Sequence, residues 1–361
     1  MLTALKHLIF RRYRTKATKR HELNYLFWEC TLRCNLSCRH CGSDCMKNSA
    51  VPDMPADDFI GVLDDIKAHN TARRLTVCIT GGEPLLRSDL EEVGRAICRR
   101  GFFWGIVTNG LALTTERFSS LIDAGMASIS LSLDGLQEQH NYLRCNPESH
   151  TKVCEAIKMV VDFQARYPQR LNFDVITCVH RGNLDQLPDL RNDLIARGVT
   201  QWRIFSIFAE GRAARNNLSL TASEYRKLMD FIAETRRYTS PDGNKIHLNY
   251  SCEGYLGRYE LRVRDFFFFC RAGINVGSVM CDGAISACLS VRGKDFIQGN
   301  IYHDKFSDVW NNRYQNMRNR DWARHGKCKK CKKWNNCLGN GLHLHNDMTC
   351  DVEHCNFELL N

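Results

Sequence analysis

Cys34-Asn35-Leu36-Ser37-Cys38-Arg39-His40-Cys41 sets three thiols at C-x3-C-x2-C spacing on one short loop, and this constrains the chain more than any other feature. A cubane of four irons takes four ligands, and the loop offers three. The iron left without a protein thiolate is a Lewis-acidic open position, which a small chelating molecule can occupy and a reduced cluster can use to pass on an electron. A structural zinc loop instead brings its cysteines in C-x2-C pairs and closes the tetrahedron with a fourth ligand nearby. Cys30 and Cys45 flank the trio, so zinc or inert packing is the competing reading.

The octet resembles the signature of radical S-adenosylmethionine (SAM) enzymes, in which the residue before the last cysteine, here His40, lies by the adenine. That resemblance implies a [4Fe–4S] cluster on Cys34, Cys38 and Cys41, with SAM at the open iron.

The length of 361 residues suggests two domains, and 43% hydrophobic with 25% charged residues is ordinary for a globular protein. Nineteen cysteines are not ordinary. Most fall between Cys30 and Cys45 or between Cys270 and Cys355, while Cys78, Cys98, Cys154 and Cys178 stand singly in apolar stretches, as small buried hydrophobes do. A disulfide scaffold would need a secretory signal. The amino-terminal stretch instead carries Lys6, Arg11, Arg12, Arg14, Lys16, Lys19 and Arg20 with no acid, too charged for a signal core. It reads as a solvated terminus or a basic amphipathic helix touching a membrane or an acidic partner. Nothing is apolar for long enough to span a bilayer, and a reducing, oxygen-poor cytoplasm is expected. The formal charge of +10 shrinks once clusters are counted, because one three-thiolate and two four-thiolate cubanes contribute roughly −5. That weakens a nucleic-acid reading and leaves a local patch for an acidic electron donor such as a flavodoxin or ferredoxin.

From Asn24 to about residue 208, short apolar runs alternate with longer amphipathic ones, the pattern of strand-helix units around a parallel sheet. Strands are expected over Asn24–Cys30, Leu75–Thr80, Phe102–Thr108, Ser128–Leu133, Asn172–Val179 and Gln201–Ile207, with helices beginning near Pro55, Ser88, Thr114, Thr151, Leu184 and Thr221. Six units fit an α/β fold of the partial (β/α)6 TIM-like barrel type; a doubly wound sheet fits the same alternation. The polar motifs tip the choice, because each follows a strand, at the rim where such barrels carry chemistry. Ser240-Pro241-Asp242-Gly243-Asn244 is a turn cluster. The expected division is a basic extension over 1–22, the barrel over 23–240 and a cysteine-rich iron-sulfur domain over 241–361.

Gly81-Gly82-Glu83-Pro84 follows the second strand, where glycines let backbone approach a ligand and a carboxylate can take an ammonium group. It is similar to the family's motif for the SAM amino group. Thr108 and Asn109 end the third strand and Ser132 and Asp134 the fourth, offering groups that suit ribose hydroxyls or ordinary turns and caps. Arg144 resembles the family's arginine for the cofactor carboxylate. Asn183 is a further adenine or ribose candidate, and Gly211-Arg212 matches the family's layout.

Cys270, Gly283 and Cys288, followed by Cys328, Cys331 and Cys337 at C-x2-C-x5-C, resemble the SPASM extension, which implies two auxiliary four-iron clusters. The cysteine usually found three residues after that group would fall near Gly341, and none stands there. Cys355 is therefore assigned to the cluster of Cys328, Cys331 and Cys337, and Cys350 to that of Cys270 and Cys288, with His343, His345 and Cys252 as alternatives. If Asp282-Gly283 is a two-residue hairpin turn, Cys281 pairs with Ala284 and Cys288 falls about 13 Å further along the ladder, which excludes Cys281. The competing reading is a zinc ribbon of Cys328, Cys331, Cys350 and Cys355.

As the resemblance implies, one electron sent into the SAM sulfonium yields a 5′-deoxyadenosyl radical that takes hydrogen from an unactivated carbon. The expected activity is modification of a peptide or protein. A sulfatase-type maturase is the runner-up, RNA or tetrapyrrole modification follows, and a non-catalytic iron-sulfur electron carrier is the alternative from another class. About 25 residues precede the first strand, too few for a leader-recognition domain, so a peptide would be read by the barrel mouth, the carboxyl-terminal region or a partner. Asp282 is the candidate base.

Overall fold

The computed structural model describes residues 2–69, 71–207, 210–251, 254–345, 347–349, 352 and 354–360. Helix α1 (Leu2–Arg20) precedes β1 (Tyr25–Glu29), α2 (Ala56–Ala68), β2 (Thr76–Thr80), α3 (Leu90–Arg99), β3 (Phe103–Thr108), α4 (Thr115–Asp123) and β4 (Ser128–Ser132). Two helices, α5 (Gln137–Arg144) and α6 (Ser149–Arg166), lead to β5 (Asn172–Val179), α7 (Leu187–Ala196) and β6 (Gln201–Ser206), followed by α8 (Arg212–Arg215) and α9 (Ala222–Thr235). Strands β1 to β6 pair in parallel in chain order, as the alternation predicts for an open barrel.

The sheet does not stop at six strands. β7 (His247–Tyr250) adds in parallel beyond β6, and β8 (Val276–Val279) adds in parallel beyond β1. An antiparallel run of β8, β9 (Ala284–Ser286) and β10 (Gly299–Asn300) completes ten strands in one sheet. The remaining helices are α10 (Phe306–Asn312), α11 (Gln315–Arg318), α12 (Trp334–Cys337) and α13 (Asn356–Leu360).

Strand alternation sets which face meets the helices. In β1, Leu26 and Trp28 are fully buried, and Trp28 stacks on Phe59 of α2 with centroids 4.3 Å apart. On a shared face of β4, β5 and β6, Asp174 accepts from Ser130 at 2.7 Å and from Arg203 at 2.5 Å. Thr114 caps α4 by accepting from the Arg117 amide, and Thr221 forms a capping box with Glu224 on α9. Helix α3 begins near Ser88, as expected. It starts at Leu90 with Asp89 at its N-cap and no side-chain cap, because Asp89 is held by Arg87 at 2.6 Å.

The β8–β9 turn departs from its two-residue reading. Met280, not Cys281, pairs with Ala284, leaving a three-residue turn of Cys281, Asp282 and Gly283 with Gly283 at φ +84°. Cys281 lies out of the ladder, its amide on Glu29 and its thiol on the Pro52 carbonyl.

Helix α1 is docked on the carboxyl-terminal region. Phe10 packs on Phe267 and Phe269, and buried Arg14 donates to the carbonyls of Asn335 and Asn336 at 2.8 and 3.1 Å on α12. Among the described residues no helix is long and apolar enough to cross a membrane.

Candidate active site

β1 ends at Glu29 and the chain turns at once into the cysteine loop, which neighbouring strand ends hold from several sides. The Gly82 amide donates to the Thr31 carbonyl at 2.7 Å and the Glu83 amide to that of Arg33 at 2.9 Å. A Cβ on Gly81 would lie 2.2 Å from the Thr31 oxygen, and one on Gly82 2.0 Å from the Arg33 oxygen. The glycine pair thus lets the β2 loop lie flat against the cysteine loop. From the far side, the Arg212 amide donates to the Cys41 carbonyl, and its guanidinium reaches the carbonyls of Cys38 at 2.7 Å and Cys45 at 2.9 Å.

Glu83 is buried where these loops meet. One carboxylate oxygen accepts from Thr108 at 2.6 Å and from the Leu85 amide at 3.1 Å, the other from the Asn109 amide at 2.9 Å. Burial raises its pKa, and these three donors work against that rise. Pro84 begins a 3-10 turn that fixes the carboxylate's approach. Asn109 donates through its side chain to Asn35 at 2.8 Å, with its amide nitrogen 3.9 Å from the Cys34 sulfur.

Asp134 and Arg144 form a buried pair at 2.6 Å, and an Arg144 nitrogen stands 3.9 Å from the Cys38 sulfur. The second Asp134 oxygen accepts from the Cys178 amide at 2.8 Å, and the Asp134 amide donates to His140 Nδ1 at 3.0 Å. Asn183 spends its amide on the carbonyls of Asp134 and Cys178, tying the ends of β4 and β5 together. Ser132 is buried at the end of β4. His40 has its Nε2 4.0 Å from Asp134, while its buried Nδ1 has no hydrogen-bond partner among the described residues. Burial lowers its pKa to about 4, so the ring is neutral at pH 7.

Sulfurs on one tetrahedral zinc at 2.3 Å stand about 3.8 Å apart, and cubane thiolates stand wider. Among the described residues the only set of three metal-capable side chains with ligand atoms within 4.8 Å of one another is His40, Asp134 and Cys178, where Arg144 already holds the carboxylate. Burial pushes the Cys34 thiol up to about 12, whereas hydrogen bonds from Cys45 bring Cys41 down to about 6.

Two cavities of about 310 and 300 Å³ lie side by side between this loop and the carboxyl-terminal region. The first is lined by His40, Cys41, Ser43 and Phe205, the second by Tyr225, His343 and His345. Ser206, Ile207, Glu210, Ser290 and Arg292 line both. Arg292 pairs with Glu29 and donates to Ser43 at 2.8 Å, bracing the wall. Glu29, Glu210 and Arg292 escaped sequence reasoning, since no motif spacing links single charges so far apart in the chain. Asp282 is exposed in its turn and does not line either cavity.

In the carboxyl-terminal region, burial raises Cys337 to about 12, with added repulsion from Cys355 and Cys328, and raises Cys288, with repulsion from Cys270. Arg320 bonds the Cys270 sulfur and donates to the Asn340 carbonyl, and the Asn340 amide donates to the Cys337 sulfur at 3.2 Å. The Lys333 amide donates to the Cys331 sulfur at 3.4 Å. Cys350 and Cys252 lie outside the described residues.

Residues 28–194 match the sequence profile of the radical SAM superfamily, and residues 270–332 that of the SPASM iron-sulfur cluster-binding domain. The chain is 24% identical over 355 residues to an AdoMet-dependent heme synthase of Oleidesulfovibrio alaskensis, covering 90% of this chain and 86% of that protein. It is 25% identical over 317 residues to the PqqA peptide cyclase of Bradyrhizobium diazoefficiens, covering 84% and 77%. In fold it is similar to Streptococcus suis SuiB bound to precursor peptide SuiA, with TM-score 0.70, 17% identity and coverage of 94% and 78%. Residues 28–194 therefore carry a radical SAM domain and residues 270–332 a SPASM domain, domains that bind [4Fe–4S] clusters and SAM.

Proposed function

We propose that this radical SAM enzyme modifies a side chain of a peptide or protein. The observation that carries the reading is the pair of cavities that share a wall between the cysteine loop and the carboxyl-terminal region. Each lies at the lower end of the size range of ligand sites, which suits one inserted side chain better than a whole macrocycle. An electron carrier would need no such cavities. The likenesses to a peptide cyclase and to the fold of peptide-bound SuiB support the same substrate class.

Cys34, Cys38 and Cys41 would hold the reactive cluster, which when bound supplies the electron that cleaves SAM to a hydrogen-abstracting radical. Three of the roughly four lone-pair sites of Glu83 are taken, leaving room for the SAM ammonium group. Arg144, anchored on Asp134, would turn the rest of its fork to the SAM carboxylate. His40 would offer its unpartnered nitrogen beside the adenine. Thr108, Asn109 and Ser132 would complete the polar rim. Apolar walls such as Phe205 and Ile207 would keep water from the reacting carbon.

Anoxically reconstituted enzyme with dithionite and SAM should release 5′-deoxyadenosine. A deuterated peptide, encoded by a small open reading frame beside the gene, should pass deuterium into it. Ser290→Trp, filling the shared wall, should cut peptide modification by about tenfold or more while sparing SAM cleavage. Release without deuterium transfer from any such peptide would overturn the substrate class, and no release would overturn the enzyme. Likeness to the heme synthase over 90% of the chain favours a second reading, chemistry on a tetrapyrrole, which incubation with an iron coproporphyrin tests directly.

A further inference from the structure

Helix α1 carries seven Lys and Arg residues and no acid, and its docking brings them to a second basic stretch. Residues 322–346 also contain no carboxylate, and Lys329, Lys330, Lys332 and Lys333 are exposed around Cys328 and Cys331, themselves partly exposed. The two stretches meet at Arg14, whose guanidinium holds the carbonyls of Asn335 and Asn336. Lys327 is paired at 2.8 Å with Glu358 of α13.

The outward side of α1 adds apolar area: Leu5, Leu8, Ile9 and Tyr13 are exposed, and nearby Phe266 is 73% exposed. Arg12 and Lys16 stand among these residues. A helix lying on lipid separates a continuous apolar face from a charged one. Basic and apolar groups interleaved on one face, beside partly exposed cluster-ligand candidates, match the make-up of a protein docking surface for an anionic partner.

We propose that α1 and the 327–333 loop form the docking surface for an acidic electron-carrier protein, which exchanges electrons with the enzyme through the group held by Cys328, Cys331, Cys337 and Cys355. This rests on the reading of those cysteines as redox-cluster ligands. Apolar side chains would anchor the contact, and the lysines would steer the encounter in a salt-dependent way.

The test uses the full-length holoenzyme, with a bacterial flavodoxin as probe and phosphatidylglycerol vesicles as the lipid control. Flavodoxin should bind, with affinity falling as NaCl rises from 50 to about 300 mM. The double variants Arg12→Glu/Lys16→Glu and Lys329→Glu/Lys330→Glu should each weaken binding about tenfold and slow flavodoxin-driven turnover, with dithionite-driven release of 5′-deoxyadenosine kept. Binding unaffected by both charge reversals, absent binding, or preferential capture by the vesicles would overturn the proposal. Loss of dithionite-driven release in the parent enzyme would instead defeat the functional reading beneath it.

Discussion

At the scale of single residues, the site is held by groups whose protonation the fold dictates. His140 accepts from the Asp134 amide at Nδ1, so Nε2 carries the proton and donates to Ser149 at 2.9 Å. Burial lowers its pKa from 6.5 to about 3, so unfolding takes up a proton between those values. Stability is then complete above pH 6.5 and falls as the pH drops, by about 2 kcal/mol between pH 7 and 5. Urea midpoints should show that loss in the parent and a shallower one in His140→Gln. The cysteine trio and the Gly81-Gly82-Glu83 run were legible because spacing and order alone specify them. Arg144 and Asp134 were both legible as residues, but their buried pairing was not, because a salt bridge between a strand end and a helix leaves no local pattern. The glycine pair was read as making room for a ligand, whereas Thr31 and Arg33 fill the space beside it.

At the scale of elements, β1 to β6 follow the apolar periodicity closely, and Asn172–Val179 matches the expected strand at both ends. Helix α5 is absent from that reading because its sequence is polar and only one turn-rich stretch separates it from β4. Helix α1 was legible as basic but not as docked, since what orders it lies more than 240 residues away, in Phe267, Phe269 and α12. Arg14→Ala should remove two buried hydrogen bonds from α12 and lower stability by about 1–3 kcal/mol. Denaturant unfolding measures that cost, and hydrogen exchange over residues 324–340 should rise with it.

At the scale of the whole molecule, the proposed cluster assignments predict an iron count. Roughly twelve irons per chain are expected from three cubanes. Cys355→Ser should lower that count by up to about four and leave SAM cleavage intact, whereas replacing Cys34, Cys38 and Cys41 together should remove about four and abolish cleavage. Iron analysis alongside 5′-deoxyadenosine release separates the two. Cys337 lies near enough to Cys355 and Cys328, and Cys288 to Cys270, for charge on one to act on the other.

The register of β8 against β1 has a consequence for how this chain can be cut or inherited. Tyr25 to Trp28 are laddered on one side to Thr76–Ile79 and on the other to Val276–Val279. A gene fragment stopping before β8 would strip one flank from the strand that launches the cysteine loop, baring a row of unpaired amides beside an oxygen-sensitive centre. Such truncates should clump and bleach rather than persist as small stand-alone catalysts, so the two cysteine-bearing halves are bound to evolve as one piece.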